Sequence, residues 1–276
     1  MRVDMHIHST ISDGSCTVAE IIDMAYDKQL DMIAITDHDT FAHLKHIPQN
    51  PKVEVIPAVE ISTIDKETGV RADVLGYSVS NPEIIEESTL PVLLERHENS
   101  LKQIELLQGY GADISPDKLN KADGKYIYSP HILDYLAETK QDYGFPDFSI
   151  DYIDVNDAVN LIHMAGGFAV LAHPGRERNF YLAGKAPFDG IEYNHPSNSE
   201  FDKKIIEAYA LKYNLLLTGG SDFHGKYNDS QVEIGDYLFP YFETVLLQLK
   251  GCIPSFNSRL DMQPYIQRFA SLTFTS

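Results

Sequence analysis

Five short runs of histidine and carboxylate residues constrain this chain most, because each directly follows a stretch patterned like a β-strand. The runs are His6-Ile7-His8 with Asp13, Thr36-Asp37-His38-Asp39, Val59-Glu60-Ile61-Ser62, Ala172-His173-Pro174-Gly175 and Gly220-Ser221-Asp222-Phe223-His224-Gly225. Ligands scattered along a chain meet when the carboxyl ends of barrel strands lie side by side. The pattern therefore predicts an α/β barrel with a metal site at one end.

Strand and helix signals alternate through residue 77 and resume after residue 151. Strands are predicted at 3–8, 31–36, 53–61, 71–77, 168–172, 190–193 and 215–218, with helices at 155–165 and 202–213. About seven strands favour a barrel over an open sheet. In the first strand, period-two alternation predicts Asp4, His6 and His8 on one face, with Val3, Met5 and Ile7 on the other.

The region 81–151 departs from this alternation and is predicted to be helical. It is rich in Glu, Lys, Leu and Tyr, and we expect breaks at Pro91, at the Gly109-Tyr110-Gly111 turn and at Pro116. We therefore divide the chain into a first barrel part at 1–80, a helical insertion over the barrel mouth at 81–151, and a second barrel part at 152–276. The last fifty residues carry no chemical signal.

Composition limits the kinds of partner and compartment. The 276 residues, 43% of them hydrophobic, are enough for one large domain or a domain with an insertion. A formal charge of −19 disfavours tight binding of long nucleic acids. Two cysteines, Cys16 and Cys252, are too few for a disulfide framework, which indicates a reducing cytoplasm. The amino-terminal residues lack the apolar core of a signal peptide, and we expect a soluble protein without membrane segments.

Each run taken alone has an ordinary structural explanation. Asp13 lies in a Ser-Asp-Gly turn, and His173 precedes Pro-Gly. Glu60 is the exception, because an ionised carboxylate in an apolar strand costs several kcal/mol unless it is paired or bound to a metal. The runs carry weight together, because independent structural explanations do not predict a histidine or carboxylate at every strand end.

At this point the sequence resembles a known family, the PHP domain, named for polymerase and histidinol phosphatase. It is most similar to the branch of metal-dependent phosphoesterases that includes 3',5'-nucleotide bisphosphate phosphatases and the RNase AM type of 5' to 3' exoribonuclease. The resemblance rests on DMHIHSTISDG at 4–14, AITDHDT at 34–40, VEIST at 59–63, VLGY at 74–77, LAHPGR at 171–176, GIEYNHPS at 190–197 and TGGSDFHG at 218–225. It implies a distorted (β/α)7 barrel that holds two or three divalent metal ions.

The resemblance also implies a ligand set. One ion is assigned to His6, His8, Glu60 and Asp222; a second to Glu60, Asp73 and His173; a third to Asp13, His38 and His224. Mixed nitrogen and oxygen ligands suit manganese, iron or zinc.

Position 73 departs from the family pattern. Related members usually carry histidine there, whereas this chain has Asp73. Two interpretations remain open: a carboxylate ligand that makes the second site harder and more negative, or a surface pair between Asp73 and Arg71.

Four residues are candidates for contact with the substrate. Arg176 suits paired hydrogen bonds to phosphate, although an ordinary surface arginine fits the sequence equally. His195 matches a family histidine associated with phosphate binding or protonation of the leaving group. His131 matches an Arg-Pro-His run, but Ser129 stands where arginine is usual. His43, His46, His97 and His163 belong to no run and are interpreted as structural or solvent-facing.

These residues favour hydrolysis of a phosphate monoester by metal-activated hydroxide, with Arg176 and His195 as catalytic groups. The expected substrate is a small phosphorylated molecule: a nucleotide such as a 3',5'-bisphosphate, or the 5' end of a short oligonucleotide. Two alternatives remain: a C–N hydrolase of the amidohydrolase type, and a non-catalytic metal-binding or regulatory protein. The sequence leaves the oligomeric state open.

Overall fold

The computed structural model describes residues 2–119, 121, 124–228 and 231–239, and within them one mixed sheet of eight strands forms the centre of the fold. The strands are β1 (Val3–Ile7), β2 (Met32–Ile35), β3 (Glu54–Asp65), β4 (Val70–Tyr77), β5 (Ile153–Asp154), β6 (Phe168–Leu171), β7 (Gly190–Asn194) and β8 (Leu216–Gly219). The α-helices are α1 (Val18–Asp27), α2 (Pro82–Gly109), α3 (Ser129–Glu138), α4 (Val155–Met164), α5 (Pro174–Glu177) and α6 (Glu200–Tyr213).

Seven strands follow one another around a nearly closed barrel in the order β1-β2-β3-β4-β6-β7-β8. β4 runs antiparallel to both neighbours, and the other neighbouring pairs are parallel. The segment after β8 closes the circle, because His8 N donates to Phe223 O at 2.9 Å and Asp222 N donates to His6 O at 2.8 Å. The predicted distorted (β/α)7 barrel is confirmed; β5 lies outside the circle and pairs with β3.

The first strand departs from the predicted alternation. The pairing of β1 with β2 shifts register between Asp4 and Ile7. Val3 and Met5 therefore share a buried cluster with residues of β2, β3, β4, β6 and β8, whereas Ile7 belongs to a different cluster that includes the buried face of α1. The prediction that Ile7 shares a face with Val3 and Met5 was wrong, because an irregularity in a strand breaks its period of two.

The helices on the outside of the barrel begin with polar caps and bury one apolar face. In α1, the Thr17 hydroxyl accepts from Glu20 N, and Glu20 in turn accepts from Thr17 N at 2.8 Å. This capping box satisfies donors at the start of the helix, and Ile21, Ile22 and Ala25 pack inward. The same arrangement of Ser199 and Asp202 opens α6.

Helix α2 runs without interruption from Pro82 to Gly109, so the break predicted at Pro91 is wrong. Pro91 lies on the exposed face, while Ile85, Val92 and Leu93 are buried. We attribute the continuous helix to this packing, which outweighs the backbone hydrogen bond that proline cannot donate. Among the described residues, none of the helices has the length and apolar character needed to cross a membrane.

The helical region 81–151 also has a small apolar cluster of its own. The cluster joins the second half of α2, the following loops and α3, and consists of Ile104, Leu107, Ala112, Ile114, Leu119, Ile127, Ile132 and Leu136. This packing gives the region an internal structure, while the first half of α2 packs against the barrel through Ile85.

Candidate metal centre

The exits of the barrel strands bring all nine predicted metal ligands to one place. Among the described residues they form three adjacent groups of ligand atoms, each with its atoms within 4.8 Å of one another. The groups are His6, His8, Glu60 and Asp222; Glu60, Asp73 and His173; and His8, Asp13, His38 and His224. Glu60 joins the first two groups, and His8 joins the first and the third.

The first group has the dimensions of a metal cage. His6 Nε2 and His8 Nε2 lie 3.2 Å apart, and they lie 3.2 and 3.1 Å from Glu60 Oε2. The same two nitrogens lie 3.4 and 3.3 Å from Asp222 Oδ1. Tetrahedral ligands at roughly 2.0–2.1 Å from an ion are separated by about 3.3 Å, so these side chains fit a divalent cation without rearrangement.

The second group is built around the other oxygen of Glu60. His173 Nε2 lies 3.0 Å from Glu60 Oε1 and 3.8 Å from Asp73 Oδ2. The opposite oxygen of Asp73 lies 3.8 Å from Arg71 Nη2, so the carboxylate sits between the imidazole and the guanidinium. Asp73 therefore has both neighbours that the two interpretations require, a ligand-group histidine and Arg71. Neither contact excludes the other.

The third group surrounds Asp13. His224 Nε2 and His8 Nδ1 lie 3.4 and 3.5 Å from Asp13 Oδ1, and His38 Nε2 lies 3.7 Å from Asp13 Oδ2. His8 thus offers one nitrogen to each of two groups. A neutral imidazole has one free lone pair, so His8 can bind an ion in only one of the groups at a time.

Hydrogen bonds behind the rings fix which nitrogen faces the centre. His6 Nδ1 must donate to Glu192 Oε1 at 3.1 Å, and His224 Nδ1 must donate to the Asp222 carbonyl at 2.9 Å, because both partners can only accept. In the neutral form of each ring, Nε2 therefore keeps a lone pair directed at the ligand groups, as metal-binding histidines require.

His195 has the opposite arrangement. Its Nδ1 accepts from Ser197 N at 3.0 Å, so in a neutral ring Nε2 carries the proton. That Nε2 lies 3.3 Å from Asp222 Oδ2. His195 also falls in a fourth candidate group with His6 and Glu192. Its proton faces the centre, which suits a hydrogen-bond donor and not a metal ligand.

Burial and mutual attraction shift the pKa values of these groups strongly in the metal-free protein. Burial disfavours the charged form of His8, but hydrogen bonds to Asp222 and Glu60 outweigh it and raise the pKa of His8 to about 10. For Glu60, burial opposes ionisation, yet the neighbouring His6 and His38 hold its pKa well below the usual range. Burial, followed by the charge of Glu60, raises the pKa of Asp73. Charges of both signs are thus packed together out of water, as expected of a functional site.

Three strand exits at the centre adopt backbone conformations that L-residues rarely take. The φ angles are 61° at Asp39, 24° at His173 and 51° at Asp222. Such conformations cost about 1–3 kcal/mol each and persist where surrounding contacts hold them. Two of these residues are predicted ligands, so part of the backbone strain in the described residues lies at the candidate site.

Two buried carboxylates support the centre but were not predicted. Glu192 accepts from His6 Nδ1 and, through Oε2, from His173 N at 2.8 Å. Asp37 accepts from Ser9 N and from the hydroxyls of Ser9 and Ser12, which shapes the loop that carries Asp13. The signal available for Glu192 was a carboxylate within the apolar strand Gly190–Asn194, the same feature that singled out Glu60.

The candidate substrate residues are distributed unevenly. Arg176 lies at the centre, with Nη1 4.0 Å from Asp222 Oδ2 and about half of its side chain exposed. Ser129 opens α3. His131 is buried, its Nδ1 accepts from Tyr128 N at 3.2 Å, and its Nε2 has no hydrogen-bond partner among the described residues. Neither Ser129 nor His131 belongs to the three ligand groups.

The four histidines outside the sequence runs belong to none of the ligand groups, and His46 is exposed at the surface. His43 is buried 3.3 Å from Asp37 Oδ2, and His163 lies 2.7 Å from Asp189 Oδ2. His97 accepts from Ile127 N at 3.1 Å. None of these three rings belongs to the three ligand groups.

Comparison with protein families settles the classification. The model of the PHP domain matches residues 4–260. The chain belongs to the PHP domain family. The curated relatives that this chain resembles are enzymes that hydrolyse phosphate esters. This PHP protein is a hydrolase of the same class.

Three curated relatives illustrate the range. A phosphoribosyl 1,2-cyclic phosphate 1,2-diphosphodiesterase of Eggerthella lenta is 32% identical over 82% of this chain and 95% of its own. The 5'-3' exoribonuclease Rnm of Escherichia coli is 27% identical over 80% of this chain and 84% of its own. A 3',5'-nucleoside bisphosphate phosphatase of Chromobacterium violaceum is 28% identical over 81% and 87%.

Solved structures agree with the fold. A protein of Bifidobacterium adolescentis described as a metal-dependent phosphoesterase superimposes with a TM-score of 0.76 at 22% identity, covering 92% of this chain and 97% of its own. A protein of Chromobacterium violaceum described as an amidohydrolase with bound sulfate and no metal gives a TM-score of 0.72 at 25% identity, covering 92% and 98%.

Proposed function

We propose that this PHP protein is a metal-dependent phosphoesterase that hydrolyses the phosphate monoester of a small phosphorylated molecule. The substrate is a nucleotide 3',5'-bisphosphate or the 5' end of a short oligonucleotide. The observation that carries the proposal is the first ligand group, whose two imidazole nitrogens and two carboxylate oxygens are separated by 3.1–3.4 Å in the five contacts described. The nine predicted ligands, and the helical insertion at 81–151, are part of this proposal.

Manganese, iron or zinc bound to two or three of the groups would activate water and neutralise charge on the phosphoryl oxygens. Glu60 suits a bridging role, since Oε2 faces His6 and His8 while Oε1 faces His173. Arg176 is proposed to bind phosphate, because its half-exposed guanidinium lies beside Asp222 and its five donors match phosphate oxygens.

His195 is proposed as the proton donor to the leaving group. The hydrogen bond from Ser197 N to Nδ1 leaves the proton on Nε2, at the edge of the ligand groups. No nucleophilic side chain is needed in this scheme, since the attacking group is water.

The size of the substrate follows from charge. A net charge of −19 opposes the backbone of long nucleic acids, so a phosphorylated molecule must bind through local contacts. Ser129 stands where the family pattern has an arginine, so one expected cation is missing from the helical insertion. His131 Nε2 has no hydrogen-bond partner among the described residues. We therefore expect short substrates. The small number of cysteines in the chain favours a cytoplasmic location.

A second candidate is hydrolysis of a cyclic phosphate diester. It is favoured by the higher identity to the Eggerthella lenta diphosphodiesterase, 32%, than to the bisphosphate phosphatase, 28%. Cleavage of a C–N bond is the remaining alternative, and a solved structure described as an amidohydrolase keeps it open to test.

The test is a screen of the Mn²⁺-loaded and chelator-treated protein against nucleotide 3',5'-bisphosphates, cyclic phosphates, short 5'-phosphorylated RNAs and amides. Release of inorganic phosphate from the bisphosphates or RNAs, abolished by chelator, is the expected result. Hydrolysis of cyclic phosphates alone would select the second candidate. Hydrolysis of amides without any phosphate ester would reject the proposal.

The proposed acid is tested by His195→Ala, with His163→Ala as the control histidine. We expect a loss of about 10²–10⁴-fold on phosphate esters with poor leaving groups and a smaller loss on aryl phosphates. His163→Ala should retain wild-type rates, because His163 pairs with Asp189 and belongs to none of the ligand groups. Equal losses on both ester types would remove His195 from the role of acid.

A further inference from the structure

The helical insertion approaches the third ligand group through one partly buried arginine. Arg96, in the middle of α2, donates from Nη2 to Asp39 Oδ2 at 3.2 Å and to Ser62 Oγ at 3.0 Å. Ser62 Oγ lies 3.3 Å from His38 Nδ1. A side chain of the insertion is thus separated from a predicted metal ligand by a single hydroxyl group.

The polarity of these contacts determines which nitrogen of His38 carries a proton. Ser62 Oγ accepts from Arg96 Nη2 at 3.0 Å, and Ser62 N donates to Asp39 Oδ1 at 2.9 Å, so Ser62 is held in place beside His38. Ser62 Oγ keeps a second lone pair that can accept from His38 Nδ1–H. Glu60 Oε2, another acceptor, lies 3.5 Å from the same nitrogen. The lone pair of His38 therefore resides on Nε2, which faces Asp13.

Other contacts from the insertion hold the backbone at this strand exit. Thr89 Oγ1 donates to Asp39 O at 2.7 Å, and Tyr128 Oη donates to His38 O at 3.3 Å. The guanidinium of Arg96 lies 5.3 Å from the centre of the Tyr128 ring. Asp39 keeps its φ of 61° within these contacts. The insertion thus restrains both the ring and the backbone of His38.

We propose that Arg96 is a positioning residue which, through Ser62, fixes the imidazole of His38 for metal binding in the third group, so that the insertion is a structural part of the metal centre. The guanidinium suits this role because Nη2, with its two N–H bonds held in one plane, reaches both the Asp39 carboxylate and the Ser62 hydroxyl. Supporting residues of this kind typically change metal affinity by about 10–100-fold when they are removed. The inference rests on the metal centre proposed above.

The control is a second link between the insertion and the barrel. Lys226 follows β8 and pairs with Asp134 and Glu138 of α3 at 2.7 and 2.9 Å. Its side chain joins the same two parts of the chain as Arg96, but its described ion pairs are with α3 and not with a metal ligand. Lys226→Met therefore measures the effect of loosening the insertion alone.

The experiment titrates the full chain with Mn²⁺ and counts bound ions by elemental analysis, with thermal unfolding followed in parallel. Arg96→Met and Ser62→Ala should each weaken one ion by about 10–100-fold, and the double variant should lose no more than the more affected single variant. Lys226→Met should retain wild-type Mn²⁺ affinity.

The inference is overturned if both Arg96→Met and Ser62→Ala bind Mn²⁺ as the wild type does, or if Lys226→Met loses the same ion to the same extent. Should Arg96→Met fail to fold, Ser62→Ala decides, since it removes only the hydroxyl between Arg96 and His38. Wild-type protein that bound no divalent ion would overturn the proposed function as well. Normal wild-type binding with unchanged variants overturns this inference alone.

Discussion

Several histidines at the centre have a hydrogen-bond partner on the side of the ring that faces away from the ligand groups. Glu192 stands behind His6, the Asp222 carbonyl behind His224, and Ser62 behind His38. A ligand ring without its partner can rotate or take the wrong tautomer. The supporting residues are therefore as informative to mutate as the ligands.

Glu192→Ala should lower Mn²⁺ affinity by about 10–100-fold, because His6 Nδ1 and His173 N both lose their acceptor in a buried place. Glu192→Gln, which keeps one accepting oxygen, should be affected less. Mn²⁺ titration of both variants measures the difference. If both variants bound Mn²⁺ with wild-type affinity, Glu192 would not support the ligands.

Asp73→Ala should lower the metal content by about one ion per chain, because Asp73 completes the group of Glu60 and His173. Asp73→His, which restores the usual family residue, should retain the ion. Elemental analysis after dialysis against limiting Mn²⁺ gives the count. Full metal content in Asp73→Ala would leave the contact with Arg71 as the role of this carboxylate.

The raised pKa values predict that metal binding releases protons. In the metal-free protein, hydrogen bonds to Asp222 and Glu60 outweigh burial and hold the pKa of His8 near 10, so His8 is charged at pH 7 and must lose its proton to bind an ion. The sign follows: Mn²⁺ affinity rises with pH between about 6 and 9, up to roughly tenfold per unit for each proton displaced. Calorimetry in buffers of different ionisation enthalpy would detect the released protons, and an affinity independent of pH would contradict the assignment.

Among the secondary-structure elements, the strand and helix pattern predicted the position of the barrel elements to within a few residues. β3 is longer than predicted, extending to Asp65, because it continues past the centre to pair with β4. β5, only two residues long, has no periodic signal and exists because it pairs with β3. Such differences come from contacts between distant segments, which local patterns do not contain.

Pro91→Ala should raise the free energy of unfolding by about 1–3 kcal/mol, because it restores a backbone donor in the interior of α2 at an exposed position. Denaturant unfolding measures the change, and Mn²⁺ content should remain that of the wild type. Leu90→Ala, at the neighbouring exposed position, is the control and should change stability little. A loss of stability in Pro91→Ala would mean that proline is required at this place in the helix.

Across the whole molecule, the centre collects negative charge that the folded chain must neutralise. The chain carries a formal charge of −19, and Asp13, Glu60, Asp73, Glu192 and Asp222 are gathered at the barrel mouth. Cations bound between these side chains would stabilise the folded state, because the unfolded chain does not assemble the same ligands.

Removing the metal should therefore lower the thermal midpoint. One ion at about 100 times its Kd contributes about 2.7 kcal/mol, which corresponds to roughly 5–10 °C for a chain of this size. Scanning calorimetry before and after chelator treatment measures the shift, with chelator already saturated by Ca²⁺ as the control. Equal midpoints would indicate that the ligand groups do not hold ions in the folded protein.

Strand periodicity and the residues at strand exits are local properties, so the amino-acid sequence is enough to predict a barrel with histidines and carboxylates at one end. Seven short runs also indicate the PHP family, and that resemblance implies the assignment of the ligands. Contacts formed on folding bring Glu192, Asp37 and Arg96 behind the ligand groups, change the register of β1 before His8, and let α2 continue through Pro91. Each of these depends on partners distant in the chain, whose distances and hydrogen-bond directions exist only after folding.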